Sequence, residues 1–241
     1  FGSSAVLMSC GVRLARLATC SVELGALRQA LVKTGYFRCH EVPAQLASVV
    51  PRALEASKAL HAQWAEPGSV IRSKPQAKPA RYWFKFIPEV DDLPSIHRPA
   101  IHDLDMAMES VAHTIASSAE RAFALPGQLE ATPALAMLRA LRYPPRPSGA
   151  LGIVSHVDFG DFTLCWSDGE GLQVQGHDGQ WDLLAADCWH CMAGGGLQKR
   201  TGGLVKAAQH RVVGTDQERF SFCRLHGVSH RQRGGVEVTA S

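Results

Sequence analysis

Residues 151–181 read LGIVSHVDFGDFTLCWSDGEGLQVQGHDGQW. Short apolar runs alternate here with Ser167-Asp168-Gly169 and His177-Asp178-Gly179, both strong turn signals. The spacing predicts strands over 151–157, 161–166, 171–175 and 180–184. Working outward, Leu138 to Tyr143 alternates with period two until Pro144-Pro145 breaks it. Further strands are expected over 187–193, 204–207, 209–213 and 219–225, with turns at Gly194-Gly195-Gly196 and Gly202-Gly203. All 13 prolines lie at or before Pro147, and most glycines lie beyond it. Proline lacks the amide donor that a central strand needs. The second part of the chain therefore reads as β-structure with tight turns, a sandwich or jelly roll.

The first part reads differently. Leu24, Leu27 and Leu31 recur at helical spacing over 22–34, with Ser21 expected to cap the start and Gly35 to stop it. A second helical region covers 44–64, where Pro51 is expected to kink or split it. Residues 66–99 are proline-rich and read as loop with one strand at Tyr82–Ile87. Ile101, Leu104, Met108, Val111 and Ile115 form one apolar face of a helix over 100–124, ended by Pro126-Gly127. The expected class is mainly β with flanking α-helices. Residues 1–137 form a helical and entrance region packed on a core of 138–241, together one integrated unit.

Composition excludes several roles. At 241 residues, 46% hydrophobic and 20% charged, the chain is long enough to bury a core without disulfide or metal staples. Its net charge of +3 is spread along the sequence, without the basic stripe of a nucleic-acid binder. No apolar run reaches the length of a membrane helix. A soluble monomer acting on a small molecule is expected. Seven cysteines, an odd number in a long chain, favour a reducing compartment over a secreted disulfide framework. Cys188-Trp-His-Cys191 fits a strand alternating between two faces better than a zinc or redox site. The first 20 residues carry Arg13 and Arg16 but no acid. They fit either the tail of a transit peptide or an ordinary N-terminal strand or loop. An intracellular, cytoplasmic location is the first expectation, with organelle targeting through a partly missing N-terminus the other.

The β half carries His156-Val-Asp158, and residues i and i+2 of a strand share a face. His210 lies 52 positions further on. In an antiparallel jelly roll a later strand returns beside an earlier one, so His210 can supply a third ligand. Two histidines and one carboxylate make the facial triad of non-heme Fe(II) oxygenases. By itself the pair also fits a His–Asp hydrogen bond on a barrel rim. Arg219-Phe-Ser221 follows, with Arg219 and Ser221 on one strand face. A guanidinium offers two parallel donors to a carboxylate, so a small dicarboxylate fits between metal and arginine.

In sequence order, Ser155-His156-Val-Asp158-Phe-Gly160, Thr163-Leu164, Gly171-Leu172-Gln173-Val174, Trp181, Thr201-Gly-Gly203, His210-Arg211-Val212-Val213 and Arg219-Phe-Ser221 resemble the 2-oxoglutarate/Fe(II)-dependent dioxygenase superfamily. The resemblance is to the branch of isopenicillin N synthase and the flavonoid and gibberellin oxygenases, and it covers residues 138–225. More weakly, Leu27 to Cys39, with Thr34-Gly35-Tyr36-Phe37, resembles the segment these enzymes carry before their first long helix. The resemblance implies a double-stranded β-helix core, with Fe(II) on His156, Asp158 and His210. It implies 2-oxoglutarate on Arg219 and Ser221, with Tyr143 as a further hydrogen-bonding partner, and O₂ as oxidant. The sequence departs from the family at Leu141, often Asn, and at Gly194-Gly195, often Gly-Asp. The loop at 66–99 is short, and the chain ends soon after its last core strand. Missing or trimmed ends are therefore an expectation.

The implied activity is oxidation of a C–H bond of a small organic molecule by hydroxylation, desaturation or cyclisation, with succinate and CO₂ formed. A 2-oxoglutarate-independent Fe(II) oxidase of the same branch, or a non-catalytic jelly-roll module binding a metal or small acid, is the alternative. Arg81, Tyr82, Trp83 and Phe84 are the candidate substrate contacts, Arg81 for a carboxylate and the aromatics for a wall. His226 and His230 are expected to face solvent.

Overall fold

The computed structural model describes residues 11–63, 72–73, 82–86, 93–125, 127–129 and 137–227. Arg81, His230, Pro126 and residues 1–10 lie outside these. Strands β1 (Gly11–Arg13) and β2 (Tyr36–His40) flank helix α1 (Ser21–Thr34). Helix α2 (Ala44–Ala62) and the edge strands β3 (Arg72–Ser73) and β4 (Tyr82–Phe86) follow. Helix α3 (Arg98–Phe123) precedes β5 (Met137–Tyr143), β6 (Leu151–His156), β7 (Phe162–Ser167), β8 (Leu172–Gln175), β9 (Trp181–Leu183) and β10 (Trp189–Ala193). A short helix α4 (Gly195–Arg200) then leads to β11 (His210–Val213) and β12 (Arg219–His226).

Two sheets face each other. The larger has the order β1-β2-β10-β7-β12-β5-β4-β3, and the smaller β6-β11-β8-β9. All pairings are antiparallel except β1 with β2. This is a double-stranded β-helix with helices on its outer face. The sheet crosses the junction near residue 137, because β4 pairs with β5 and β2 with β10.

The larger sheet is covered on both faces, and strand alternation divides its residues between them. On β12, Phe220, Phe222, Arg224 and His226 turn toward the helices, while Arg219, Ser221, Cys223 and Leu225 line a cavity between the sheets. Phe222 is fully buried and stacks on Trp166 at 5.9 Å. The expected apolar stripe of α3, Ile101 through Ile115, is buried in the same outer core. Arg224 reaches from the sheet into α3 and pairs with Asp105 and Glu109, so a buried cation is matched by two acids. Replacing Phe222 by Ala is expected to cost about 3–5 kcal/mol, the usual range for a buried aromatic, read as a lower denaturant midpoint.

Several boundaries differ from the sequence reading. Ser21 is the first helical residue of α1, and Cys20 precedes it without a side-chain cap. Gly35 does end the helix, at φ 75°, where a Cβ would stand 2.6 Å from the Lys206 carbonyl. Pro51 does not split α2; it sits on the exposed side, where water can satisfy the carbonyl it leaves unpaired. Residues 204–207 form no strand, and Gly194-Gly195-Gly196 opens α4 rather than a simple turn. A Cβ on Gly194 would collide with the Gly160 carbonyl, so glycine is needed there for close packing of two backbones. His226, expected in solvent, is instead buried, with its ring stacked on Phe162 at 4.6 Å.

Three imidazoles, those of His61, His190 and His226, are pushed down to about 4, chiefly by burial. Their ordinary value is 6.5. The fold thus favours the neutral ring, so their contribution is complete above pH 6.5 and is lost as pH falls toward 4. Asp161 and Asp168, whose carboxyls burial pushes up, act in the opposite sense at the acid end of that window. The expected result is steady stability from pH 8 to 7 and a falling denaturant midpoint between pH 6.5 and 4. A midpoint unchanged down to pH 5 would show that these rings do not govern the acid limb.

Candidate metal centre and cosubstrate pocket

His156 is the last residue of β6, and β11 returns antiparallel beside that strand with His210 directly opposite it. Their rings lie 4.2 Å apart between centroids. Asp158 lies just past β6, in the loop rather than on the strand. One donor atom from each of the three residues falls within 4.8 Å of the others. His156 Nε2 is 3.9 Å from Asp158 Oδ1, and His210 Nε2 is 3.8 Å from Asp158 Oδ2.

Local bonds fix how these groups face. His156 Nδ1 is 2.9 Å from the Val154 carbonyl, and His210 Nδ1 is 3.0 Å from the Ala208 carbonyl. A carbonyl only accepts, so each Nδ1 carries the hydrogen and each Nε2 keeps its lone pair toward the centre. Thr163 Oγ1 donates to Asp158 Oδ2 at 2.5 Å and orients the carboxylate. The loop that carries Asp158 is held from behind by α4. Gly195 N–H donates to the Asp158 carbonyl at 2.8 Å, and Gly194 N–H to that of Asp161 at 2.9 Å. Arg200 pairs with the buried Asp161 carboxylate at 2.9 Å.

Two imidazole nitrogens and one carboxylate, aimed at one point and open on the cavity side, suit a divalent transition metal with free coordination positions. The three side chains are the group of metal-binding residue types that the described residues bring together. The cysteines nearby do not join them. Burial pushes the Cys165 and Cys223 thiols up, so both stay protonated at neutral pH.

The cavity is lined on one side by Arg139, Leu141, Tyr143, Cys165, Met192, Arg219, Ser221, Cys223 and Leu225 of the larger sheet. Ile153, Leu172 and Val212 of the smaller sheet, together with the three ligand residues, close the other side. Arg219 lies opposite Tyr143 in the β5–β12 register, and its guanidinium sits 4.9 Å from the tyrosine ring centre. Its Nε donates to the Gly169 carbonyl at 3.0 Å, while its Nη1 is buried with no hydrogen-bond partner. Ser221 Oγ donates to the Trp166 carbonyl at 2.9 Å and lies 3.6 Å from Cys223 Sγ, whose thiol can donate to it; one lone pair of the hydroxyl remains. A buried guanidinium nitrogen with nothing to bind is costly, and an incoming carboxylate satisfies it.

Of the four substrate candidates, Arg81 lies outside the described residues. Trp83 faces Leu141 across the β4–β5 register and packs with the residues between the sheets. Tyr82 and Phe84 turn the other way. Phe84 is buried in the outer core beside His61, and Arg142 lies over the Tyr82 ring. Neither lines the cavity. Arg139 does, and sequence reasoning passed over it, although β5 alternation puts it on the same face as Leu141 and Tyr143.

Residues 134–226 match the family described as the 2OG-Fe(II) oxygenase superfamily. The match covers the β core and less than half of the chain. The chain is 43% identical over 83 residues to 2-oxoglutarate-dependent dioxygenase 19 of Oryza sativa subsp. japonica, covering 32% of this chain and 24% of that protein. It is 32% identical over 99 residues to codeine O-demethylase of Papaver somniferum, covering 38% and 27%. These matches span about a quarter of each relative's length. Among solved structures, the dioxygenase for auxin oxidation of rice superposes with a TM-score of 0.75 at 22% identity, covering 92% of this chain and 83% of that one. This superposition establishes the fold.

Removing the Thr163 hydroxyl tests the orientation of Asp158. Thr163→Val is expected to weaken Zn(II) or anaerobic Fe(II) binding about tenfold, as loss of such an outer-shell bond does, with little change in melting temperature. Calorimetric titration gives the number. Unchanged metal affinity would show that the Thr163 bond does not set the carboxylate.

Proposed function

We propose that the protein is a non-heme Fe(II)- and 2-oxoglutarate-dependent oxygenase that oxidises a C–H bond of a small organic molecule. His156 Nε2, Asp158 and His210 Nε2 would hold the metal, and Arg219 and Ser221 the distal carboxylate of 2-oxoglutarate. The observation that carries this reading is the buried, unpartnered Nη1 of Arg219 in the same cavity as the His–Asp–His cluster. A module that bound only a metal has no use for that nitrogen. For the same reason the 2-oxoglutarate-requiring reading ranks above the oxidase that dispenses with it.

With the metal and 2-oxoglutarate bound, the site supplies oxygen activation coupled to oxidative decarboxylation, giving succinate and CO₂. The chain's own residues bind, orient and shield. The carbonyl partners of the two Nδ1–H groups fix the ring tautomers and keep each Nε2 pointed inward. Thr163 fixes which lone pairs Asp158 presents. Tyr143 lies beneath the Arg219 guanidinium and limits where a carboxylate can approach. Leu141, Ile153, Leu172, Met192, Val212 and Leu225 exclude water and give an apolar substrate body somewhere to rest. The region before residue 138 and the core act as one catalytic unit, since β2 and β4 complete the sheet that carries Arg219. The substrate is a small molecule. Among the described residues no helix is long and apolar enough to cross a membrane.

The test is succinate formation by anaerobically purified protein given Fe(II), 2-oxoglutarate and O₂. Turnover should be lost in His156→Ala, Asp158→Ala and His210→Ala. Arg219→Ala should raise the dissociation constant for 2-oxoglutarate at least about tenfold while leaving metal affinity within twofold. Parallel loss of both affinities would sink the role given to Arg219. Oxygen consumption without succinate would replace this reading with a 2-oxoglutarate-independent oxidase.

A further inference from the structure

Arg139 is a second cation in the cavity, and nothing in the binding of metal or 2-oxoglutarate uses it. It lies opposite Cys223 in the β5–β12 register, four residues from Tyr143, the partner of Arg219. At about 3.3 Å per residue the two arginines are rooted about 13 Å apart along the sheet. Cys223 is two residues from Leu225, which pairs with Thr163, the donor to Asp158. Arg139 is thus rooted next to the metal end of the cavity, and Arg219 at the far end.

Its side chain is half-buried and its Nε is enclosed without a hydrogen-bond partner. Among the described residues no carboxylate pairs with it. Every other arginine set into the β5–β12 ladder has a partner of known kind: Arg142 pairs with Glu218, Arg224 with Asp105 and Glu109, and Arg219 with the Gly169 carbonyl. The rest of the lining near it is apolar or thiol: Leu141, Cys165, Cys223 and Leu225.

We propose that Arg139 is the specificity-determining residue for the substrate, which it binds through a carboxylate on an otherwise apolar small molecule. The proposal rests on the oxygenase reading above for the fate of that substrate, but the binding itself does not. A planar guanidinium donates two parallel hydrogen bonds to a carboxylate, which fixes direction as well as affinity. With the carboxylate anchored there, the apolar body of the substrate lies between Arg139 and the metal ligands. Trp83, beside Leu141 on the same face, extends the wall toward the β4 edge. Arg81, the carboxylate contact expected from the sequence, lies outside the described residues.

The experiment is a pair of matched titrations by calorimetry on Zn(II)-loaded protein with 2-oxoglutarate bound. Phenylacetate and hexanoate are compared with phenylacetamide and hexanamide, which keep size and shape but lose the charge. The acids are expected to bind at least about tenfold more tightly than their amides. Arg139→Met should erase that difference, Arg139→Lys should keep part of it, and 2-oxoglutarate affinity, titrated separately, should move less than twofold in both. Equal affinity for acid and amide in the unaltered protein overturns the proposal, as does failure of both acids to bind. Loss of 2-oxoglutarate binding in Arg139→Met, with a native melting curve, overturns it too by moving Arg139 to the cosubstrate. If the unaltered protein takes up neither metal nor 2-oxoglutarate, the oxygenase reading fails. The acid-over-amide comparison on metal-free protein then still decides the role of Arg139.

Discussion

The larger sheet has no solvent face along its central strands, and most of the molecule follows from that. A strand buried on both sides must give every residue a partner, and period-two alternation sends half of them each way. On β12 the helix-facing set is Phe220, Phe222, Arg224 and His226, all of it packing, with the one charge matched by α3. The cavity-facing set is Arg219, Ser221, Cys223 and Leu225. Packing and chemistry are thus interleaved residue by residue along one strand. The helices cover the outer face of this sheet, and its inner face turns Arg219 into the cavity shared with the His–Asp–His cluster.

The metal cluster itself depends on backbone more than on side-chain packing. His156 and His210 are paired by strand register, and each ring is turned by a carbonyl two residues back. Asp158 has no strand to hold it, so its loop is clamped by amides of Gly194 and Gly195 and by the Asp161–Arg200 ion pair. The contacts to Asp158 and Asp161 come from main-chain N–H groups, so Gly194-Gly195 supplies the clamp without side chains. The clamp also explains why the triplet of glycines begins a helix. The helix terminus presses against the loop so closely that a side chain at Gly194 has no room.

How much of this the sequence disclosed follows the same physics. Strands β4 to β12 were legible because alternation and turn residues are local signals. So was the pairing of His156, Asp158 and His210 as donor types, given an antiparallel return. Strand β2 was not, because Tyr36–His40 is a strand only by pairing with the distant β10, and β1 was offered only as one reading of the first 20 residues. The strand expected at 204–207 failed for the converse reason: an apolar stretch after two glycines was taken up by the turn behind α4. His226 was misplaced because its burial depends on Phe162 and α3, not on its neighbours in sequence.

Arg139 shows the more general difficulty. An arginine in a strand reads as a surface residue, since charged side chains are seldom enclosed without a partner. The rule fails where a sheet has solvent on neither side, and there the outward choice is not available. Arg139, Arg219 and Arg224 all sit on such strands, and only Arg224 meets carboxylates of the protein itself. Arg219 and Arg139 keep buried donor nitrogens that the fold does not fill. Retaining two such groups in one cavity is destabilising by itself, by about 1–3 kcal/mol for each unsatisfied donor. Under the proposed binding an anion at each end of the cavity would offset that cost, so the same two-sided burial that makes the sheet a scaffold also shapes it for ligands.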